Sequence, residues 1–588
     1  MAWLALRTTL TAALLALVLV PCGALARNDD ESRWQWNDVA RVVAFGDVHG
    51  DHDALVRLLT HAGVIDETGA WIGGHTHLVS LGDLLDRGPD SRTVMDLLMR
   101  LQDEARAAGG RVHVALGNHE QMNLTGDLRY VAAEEYAAFA GPEDDALRAR
   151  AEAAADASGY GAEAVRRMPP GFFAHRAAFL PDGTYGRWLL AQRVMVMIDG
   201  RVFLHGGLSP VITDQAADPA AFEAALRARL RRLVELREEP ELLRPRMLAV
   251  DLLQLGGAST GEAPALDEAL AERLRAAADD PLFGSHGPFW HRGNAACHPL
   301  LETPALARSL SSLGARAVVV GHTVQRDHRV HVRLDGRAYL IDTGMLRAYY
   351  RGEPRALVIE GDAVRVLSPD GSQVTPDRER PAVDAGRDAD ALARLLEAGV
   401  ASPLEDGAMR LALDGDAVRV QALRLGRRER QHELAAYRLD RALGLGMVPA
   451  VAERELDGRQ LLLRLDEGVW ISEAERVAQR RAVPNWCAAG HAFDLVRLFD
   501  LLIGNARSAE GLAYARDDLD LRLTAHGDAF GRSARLPDGA ALPPVLAPVL
   551  RSLTPERVRA ALAGILDERR IDAVLQRRSA LLDRLGEN

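Results

Sequence analysis

Five times along this chain a short apolar run stops at a cluster of glycine with aspartate, asparagine or histidine. Val42-Val43-Ala44-Phe45 runs into Gly46-Asp47-Val48-His49-Gly50, and the run from His77 to Leu81 runs into "GDLLDRG", Gly82 to Gly88. Arg111 to Leu116 leads to "GNHE", Gly117 to Glu120; Arg201 to Leu204 leads to "HGG", His205 to Gly207; Ala315 to Val320 leads to "GHT", Gly321 to Thr323. Apolar runs bounded by turn formers predict short buried strands. Helical patterns follow at Asp53 to Ala62 and Ser91 to Ala108, so the chain belongs with the layered α/β folds, where loops at strand ends assemble sites.

Asp-x-His at a strand end can offer an oxygen and an imidazole nitrogen to one cation, because alternate residues of an extended segment point the same way. One such turn is more often a plain cap. Five clusters of oxygen and nitrogen donors without thiolates suit two neighbouring divalent ions that share a carboxylate.

The rest of the chain sets limits. At 588 residues there is room for two or three domains. A formal charge of -12 disfavours nucleic acid or an acidic membrane surface as partner. There is no lysine, which excludes a Schiff base, a Walker loop and the usual kinase nucleotide anchor. Arg7, the apolar core Leu10 to Val20 and Ala24-Leu25-Ala26 have the form of a secretory signal over residues 1–26. Its removal takes Cys22 away and leaves Cys297 and Cys487, whose pairing spacing alone does not decide. No second segment is apolar enough to span a bilayer, so no stable membrane span is expected after cleavage, and the expected location is periplasmic or secreted.

Tyr130 to about Leu180 reads as mostly helical and interrupts the strand rhythm, as does a second stretch from about Pro219 to Ala277. The turn-rich, charged segment 368–390 reads as a linker between a domain at 27–367 and another at 391–588.

The ordered set GDVHG, GDLLDRG, GNHE, HGGL and GHT resembles the calcineurin-like metallophosphoesterases of the phosphoprotein phosphatase superfamily. "GNHEQMNLTGDLRYV", "GPFWHRG", "VVVGHTVQ" and "LIDTGM" are similar to the Shewanella-like protein phosphatase group. The resemblance implies a layered β-sandwich flanked by helices and a phosphorylated protein or peptide as substrate. It also implies two divalent metal ions, with manganese favoured and iron or zinc compatible with the same ligands. Carried over residue by residue, Asp47 and His49 hold the first ion, Asp83 bridges, and Asn118, His205 and His322 complete the second. Water between the cations would be the nucleophile. His119 would protonate the leaving oxygen with Asp86 orienting its ring, and Arg87 and Arg292 would clamp the phosphate. A dinucleoside-polyphosphate hydrolase shares the first three motifs, and a noncatalytic binding protein is the alternative of a different class.

Other polar residues carry less. His75, His77, His286, His291 and His298 read as structural, and Asp342 as either an orienting group or a simple turn. From about Ala391 the chain is similar to the kinase-like fold of the HipA and phosphatidylinositol-kinase-like group, as a second, α+β domain. Glu433 falls at the helix glutamate of such folds, but its lysine is missing, Asn505 is followed by Ala506-Arg507, and Ala525 replaces the metal-binding aspartate. The expectation is an inactive module that serves a ligand or partner.

Overall fold

The computed structural model describes residues 33–586 except 144, 158–161, 240, 244–246, 259–265, 379–386, 467–469, 482–486, 488, 507–510 and 516–520. The signal segment with Arg7 and Cys22, residues 379–386 of the expected linker, and Arg507 lie outside the described residues, while the rest of that linker includes the short strands Gln373–Val374 and Asp377–Arg378. The chain divides into two compact units, the first comprising residues 1–290, 309–330 and 339–376, the second 291–308, 331–338 and 377–588.

The first unit is a sandwich of two sheets. Strands β2 (Val42–Phe45), β3 (His77–Ser80) and β4 (Arg111–Val114) are parallel neighbours. β10 (Ala356–Glu360) pairs antiparallel with β2, then β11 (Ala363–Leu367) and β12 (Gln373–Val374) extend the sheet. In the other sheet β1 (Gln35–Trp36), β5 (Met195–Ile198), β6 (Arg201–Leu204), β7 (Ala317–Val320) and β9 (Ala338–Leu340) lie side by side. Strand β6 runs parallel to β7. Val42, Ala44 and Val79 of one sheet meet Val196, Phe203 and Val319 of the other in a common core. The helices His52–His61 and Ser91–Ala107 are the βα connections of the parallel strands. Because β2 is buried along its whole length, it reads as a continuous apolar run rather than an alternating one. Each of its large apolar side chains contributes about 1.5–3 kcal/mol on burial, so Val43→Asp would unseat the strand.

This topology positions the site. Parallel strands bring their C-terminal ends to one edge of a sheet, and that is where open α/β sheets bind ligands. Asp47, Asp83 and Asn118 follow β2, β3 and β4, while His205 and His322 follow β6 and β7.

The second unit is α+β. Strands β14 (Val400–Pro403), β15 (Met409–Leu413), β16 (Asp416–Leu423), β17 (Val451–Leu456) and β18 (Arg459–Leu465) form an antiparallel sheet ordered β14-β15-β16-β18-β17. The helix Arg427–Leu443 is inserted between β16 and β17 and buries Ala435, Ala436 and Leu439 in a core shared with Phe499 and the C-terminal helix Glu568–Gly586. Strands β8 (His331–Arg333) and β13 (Asp377–Arg378) pair in parallel within this unit. Cys297 and Cys487, whose relation the sequence left open, form a disulfide with Cα atoms 5.5 Å apart. His298 is also fixed here, its Nε2 2.6 Å from the Leu445 carbonyl oxygen. Within the described residues no helix is long and apolar enough to cross a membrane.

Candidate metal centre

The polar ends of the strands converge on one carboxylate oxygen. Asp83 Oδ2 lies 3.3 Å from Nε2 of His205, 3.7 Å from Nε2 of His49 and 3.8 Å from Nε2 of His119. His322 joins through Nδ1, 3.0 Å from His205 Nε2, and Asn118 through Oδ1, 2.9 Å from the same nitrogen. Asp47 Oδ1 accepts the His322 amide at 3.0 Å, and its Oδ2 is 3.9 Å from His49 Nε2. Asp47, His49, Asp83, Asn118, His205 and His322 are all buried. Among the described residues two groups of donors share Asp83, one with His49 and His119 and one with His205 and His322.

The loops that hold these groups are strained. His49, Asp83, Asp86, Arg87 and His322 have φ between 50° and 70°, left-handed backbone that costs a residue with a Cβ about 1–2 kcal/mol. Such strain persists where surrounding bonds over-determine it. Here Glu120 does so: its carboxylate accepts the amides of Asp83 at 2.9 Å, Leu84 at 2.8 Å and Gly117 at 2.6 Å, stitching the second loop to the third. The loops also cross without room for side chains, since a Cβ at Gly82 would stand 2.3 Å from the Gly117 nitrogen. Glu120 was visible as the last letter of GNHE, yet only the fold reveals what it holds.

The electrostatics match a cation site. Burial pushes the Asp83 carboxyl up, but the charges of His205, His119 and His49 outweigh it and hold it well below the usual range. Burial would lower His205, yet Asp83 and Asp47 raise it to about 9. Burial and neighbouring Asp342 raise Asp47 well above an ordinary carboxyl, and burial beside Asp83 lifts Glu120 to about 7. Asp342 is fully buried at the end of β9 and accepts the Gly344 amide at 3.0 Å. So many acids and imidazoles in one dry place are mutually costly without added positive charge.

His119 has a different bonding pattern. Its Nδ1 is 2.6 Å from Asp86 Oδ2, and its Nε2 makes no hydrogen bond among the described residues. Asn123 Nδ2 donates to the other Asp86 oxygen at 3.0 Å. Arg87 donates to the Tyr350 hydroxyl, and its guanidinium lies 5.0, 5.3 and 5.5 Å from the ring centres of Tyr130, Tyr349 and Tyr350. Tyr349 and Tyr350 carry no local signal of this role; they reach Arg87 only through the fold. Trp290, in the "GPFWHRG" stretch, sets its ring 5.9 Å from His322 and donates to Gln121. Arg292, two residues on, belongs to the second unit and caps the helix Gly293–Ala296. His77 is a core histidine, 3.0 Å from His113 and edge-on to Trp36, and His75 is an exposed residue near the Gly109 carbonyl.

Residues 40–326 match the family model described as calcineurin-like phosphoesterase. This segment is a calcineurin-like phosphoesterase domain. The phosphoesterase domain makes the protein a hydrolase of phosphoesters. The chain is 28% identical over 343 residues to Shewanella-like protein phosphatase 2 of Arabidopsis thaliana, covering 56% of this chain and 77% of that protein. To Shewanella-like protein phosphatase 1 of Plasmodium berghei it is 26% identical over 323 residues, covering 54% and 70%. Among solved structures, the cold-active protein-tyrosine phosphatase of a psychrophilic Shewanella species aligns with a TM-score of 0.41 and 24% identity, over 59% of this chain and 84% of that one.

Proposed function

We propose that the phosphoesterase domain is a phosphomonoesterase that uses two divalent metal ions, manganese first among them, to hydrolyse phosphorylated protein or peptide side chains. The observation that carries this reading is Asp83 Oδ2, a buried carboxylate oxygen facing three imidazole nitrogens at 3.3 to 3.8 Å. A shared carboxylate flanked by two donor groups fits a pair of cations. Asp47 and His49 would hold one with Asp83, and Asn118, His205 and His322 the other. When bound, the two cations supply charge for the phosphoryl oxygens and a water acidic enough to attack phosphorus.

The remaining steps fall to side chains. Arg87 binds and orients the phosphoryl group from its tyrosine-lined position; a planar guanidinium pairs two oxygens at once. His119, its Nδ1 committed to Asp86, gives the Nε2 proton to the departing oxygen. Glu120 keeps the Asp83 and Asn118 loops in register.

Export is part of the proposal. The signal-like first 26 residues and the Cys297–Cys487 disulfide both support an oxidising location, periplasmic or secreted. The second domain is proposed as an inactive kinase-like module for a ligand or partner. In support, the Glu433 carboxylate is taken up by the amide and ring of His526, at 2.6 and 2.8 Å, and Ala525 offers no metal carboxylate.

The test is phosphate release by the mature chain from phosphotyrosine and phosphoserine peptides and from a dinucleoside tetraphosphate, with manganese or with chelator. Release from the peptides that needs metal and disappears in Asp83→Asn is the expected result. Chelator-resistant activity, or cleavage of the tetraphosphate alone, would overturn it.

A further inference from the structure

Beyond the helix Asn118–Thr125, the helical stretch that leads to β5 sends two ionisable side chains into the protein behind the Asp86 that His119 contacts. Glu135 lies on the helix Ala133–Ala137 and His175 on the helix Phe172–Phe179, and both are fully buried. Glu135 Oε2 accepts the Ser91 hydroxyl at 2.7 Å and the Asp86 amide at 3.3 Å; Ser91 Oγ accepts the same amide at 3.1 Å. Glu135 Oε1 is 3.2 Å from His175 Nε2, whose ring is walled by Tyr136, Phe139 and Phe179. The network continues to Asp86 and from there to His119 Nδ1.

Its point of attachment is informative. Asp86 has φ of 69° and Arg87 of 70°, so the backbone that presents the Asp86 carboxylate is held in the left-handed region. Relaxation of that backbone would swing Oδ2 away from Nδ1 of His119. The amide of Asp86 is what Glu135 and Ser91 hold, while Asn123 holds the outer carboxylate oxygen and is itself fixed by Arg176 on its carbonyl at 2.9 Å. Burying a carboxylate is costly unless it is fully bonded, and here its bonds converge on the residue that orients the leaving-group acid.

We propose that Glu135, backed by Ser91 and His175, is a positioning residue for the Asp86–His119 pair: the inserted helices set the aim of the proton donor. This rests on the reading of His119 as the leaving-group acid.

The experiment exploits the leaving group. A group that departs readily as an anion needs no proton, whereas a poor one does, so damage to the acid is selective for poor leaving groups. With manganese-loaded full-length protein, kcat and KM are measured on phenyl phosphate and on 4-nitrophenyl phosphate for Glu135→Ala, Glu135→Gln, Ser91→Ala and His119→Asn, with metal content measured in parallel. Glu135→Ala is expected to lower kcat on phenyl phosphate about tenfold to a hundredfold, a large part of what general acid catalysis provides. Its kcat on 4-nitrophenyl phosphate should stay within about threefold, with KM and metal content held. Ser91→Ala should show a weaker version of the same selectivity. Equal losses on both substrates, loss of metal, or no loss would each overturn the proposal. If Glu135→Ala does not fold, Glu135→Gln, which keeps shape and one acceptor, decides by the same ratio. If His119→Asn shows no leaving-group selectivity, the acid assignment itself fails. If His119→Asn is selective and the Glu135 variants are not, only the positioning role fails.

Discussion

Each unit of the protein buries an imidazole against a carboxylate. In the first unit Asp86 Oδ2 sits 2.6 Å from His119 Nδ1, and in the second Glu433 Oε2 sits 2.8 Å from His526 Nδ1. The pairs differ in what else they touch. Glu433 spends its other oxygen on the amide of His526 itself, so the bond closes locally and ties a helix to a loop. Asp86 spends its other oxygen on Asn123, and the far nitrogen of His119 makes no hydrogen bond among the described residues and faces Asp83 Oδ2 at 3.8 Å. A buried acid–histidine pair is thus a structural clasp in one place and an aimed donor in another, and the second partner decides which.

The comparison can be broken most sharply at Asp83. Asp83→Asn should cut phosphate release about a thousandfold, the upper end of what losing one preorganised electrostatic group costs, and elemental analysis should find less than the full metal complement. Next, His119→Asn should lower kcat on poor leaving groups about a hundredfold while metal content is retained. Loss of metal from that variant would make His119 a ligand and end the contrast with His526.

Two smaller effects belong to the second unit. Cys487→Ser removes the disulfide to Cys297 and should cost about 2–4 kcal/mol of unfolding free energy, read from denaturant melts of oxidised protein. Glu433→Gln should weaken the same unit by about 1.5–3 kcal/mol, the worth of charge-assisted hydrogen bonds, and leave hydrolysis within about twofold of wild type. A matching drop in kcat would show that the clasp serves catalysis.

The last effect is a pH trend. Burial raises Asp86 from 3.8 to about 6 and Glu120 from 4.5 to about 7. The folded protein therefore binds protons that the unfolded chain has released. The stability these two carboxyls contribute is complete below about pH 4 and is lost as pH rises through about 6 to 7. His205, raised from 6.5 to about 9 by its aspartates, loses its contribution in the same direction above that window. Buried His49, His113 and His175, held below 6.5, act with the opposite sign, so the trend is read as a difference: in chelator Glu120→Gln should lose less melting temperature than wild type between about pH 4 and 7.

Much of the site was legible because its signals are local. An apolar run, a glycine and a polar residue are neighbours in sequence, and the pattern repeats at Asp47, Asp83, Asn118, His205 and His322. Glu120 was half legible, since it stands in a motif but bonds to a loop 37 residues away. Glu135, His175, Tyr349 and Tyr350 were not legible, because nothing near them in sequence distinguishes them from ordinary helix and turn residues. Arg292 was legible as part of "GPFWHRG", but its membership of the second unit follows from packing and the disulfide at Cys297.

The sequence by itself determined where strands stop and which donors stand at their ends, because hydrophobic burial and turn chemistry act over a few residues. It also ruled out lysine chemistry by composition alone. Only the tertiary structure decided that the Asp83 oxygen faces three histidines, that Glu135 stands behind His119, and that Glu433 is spent on His526. Those relations depend on how parallel strands and an inserted set of helices bring distant residues within 4 Å of one another. Contacts of that kind are products of packing and leave no periodicity in the chain.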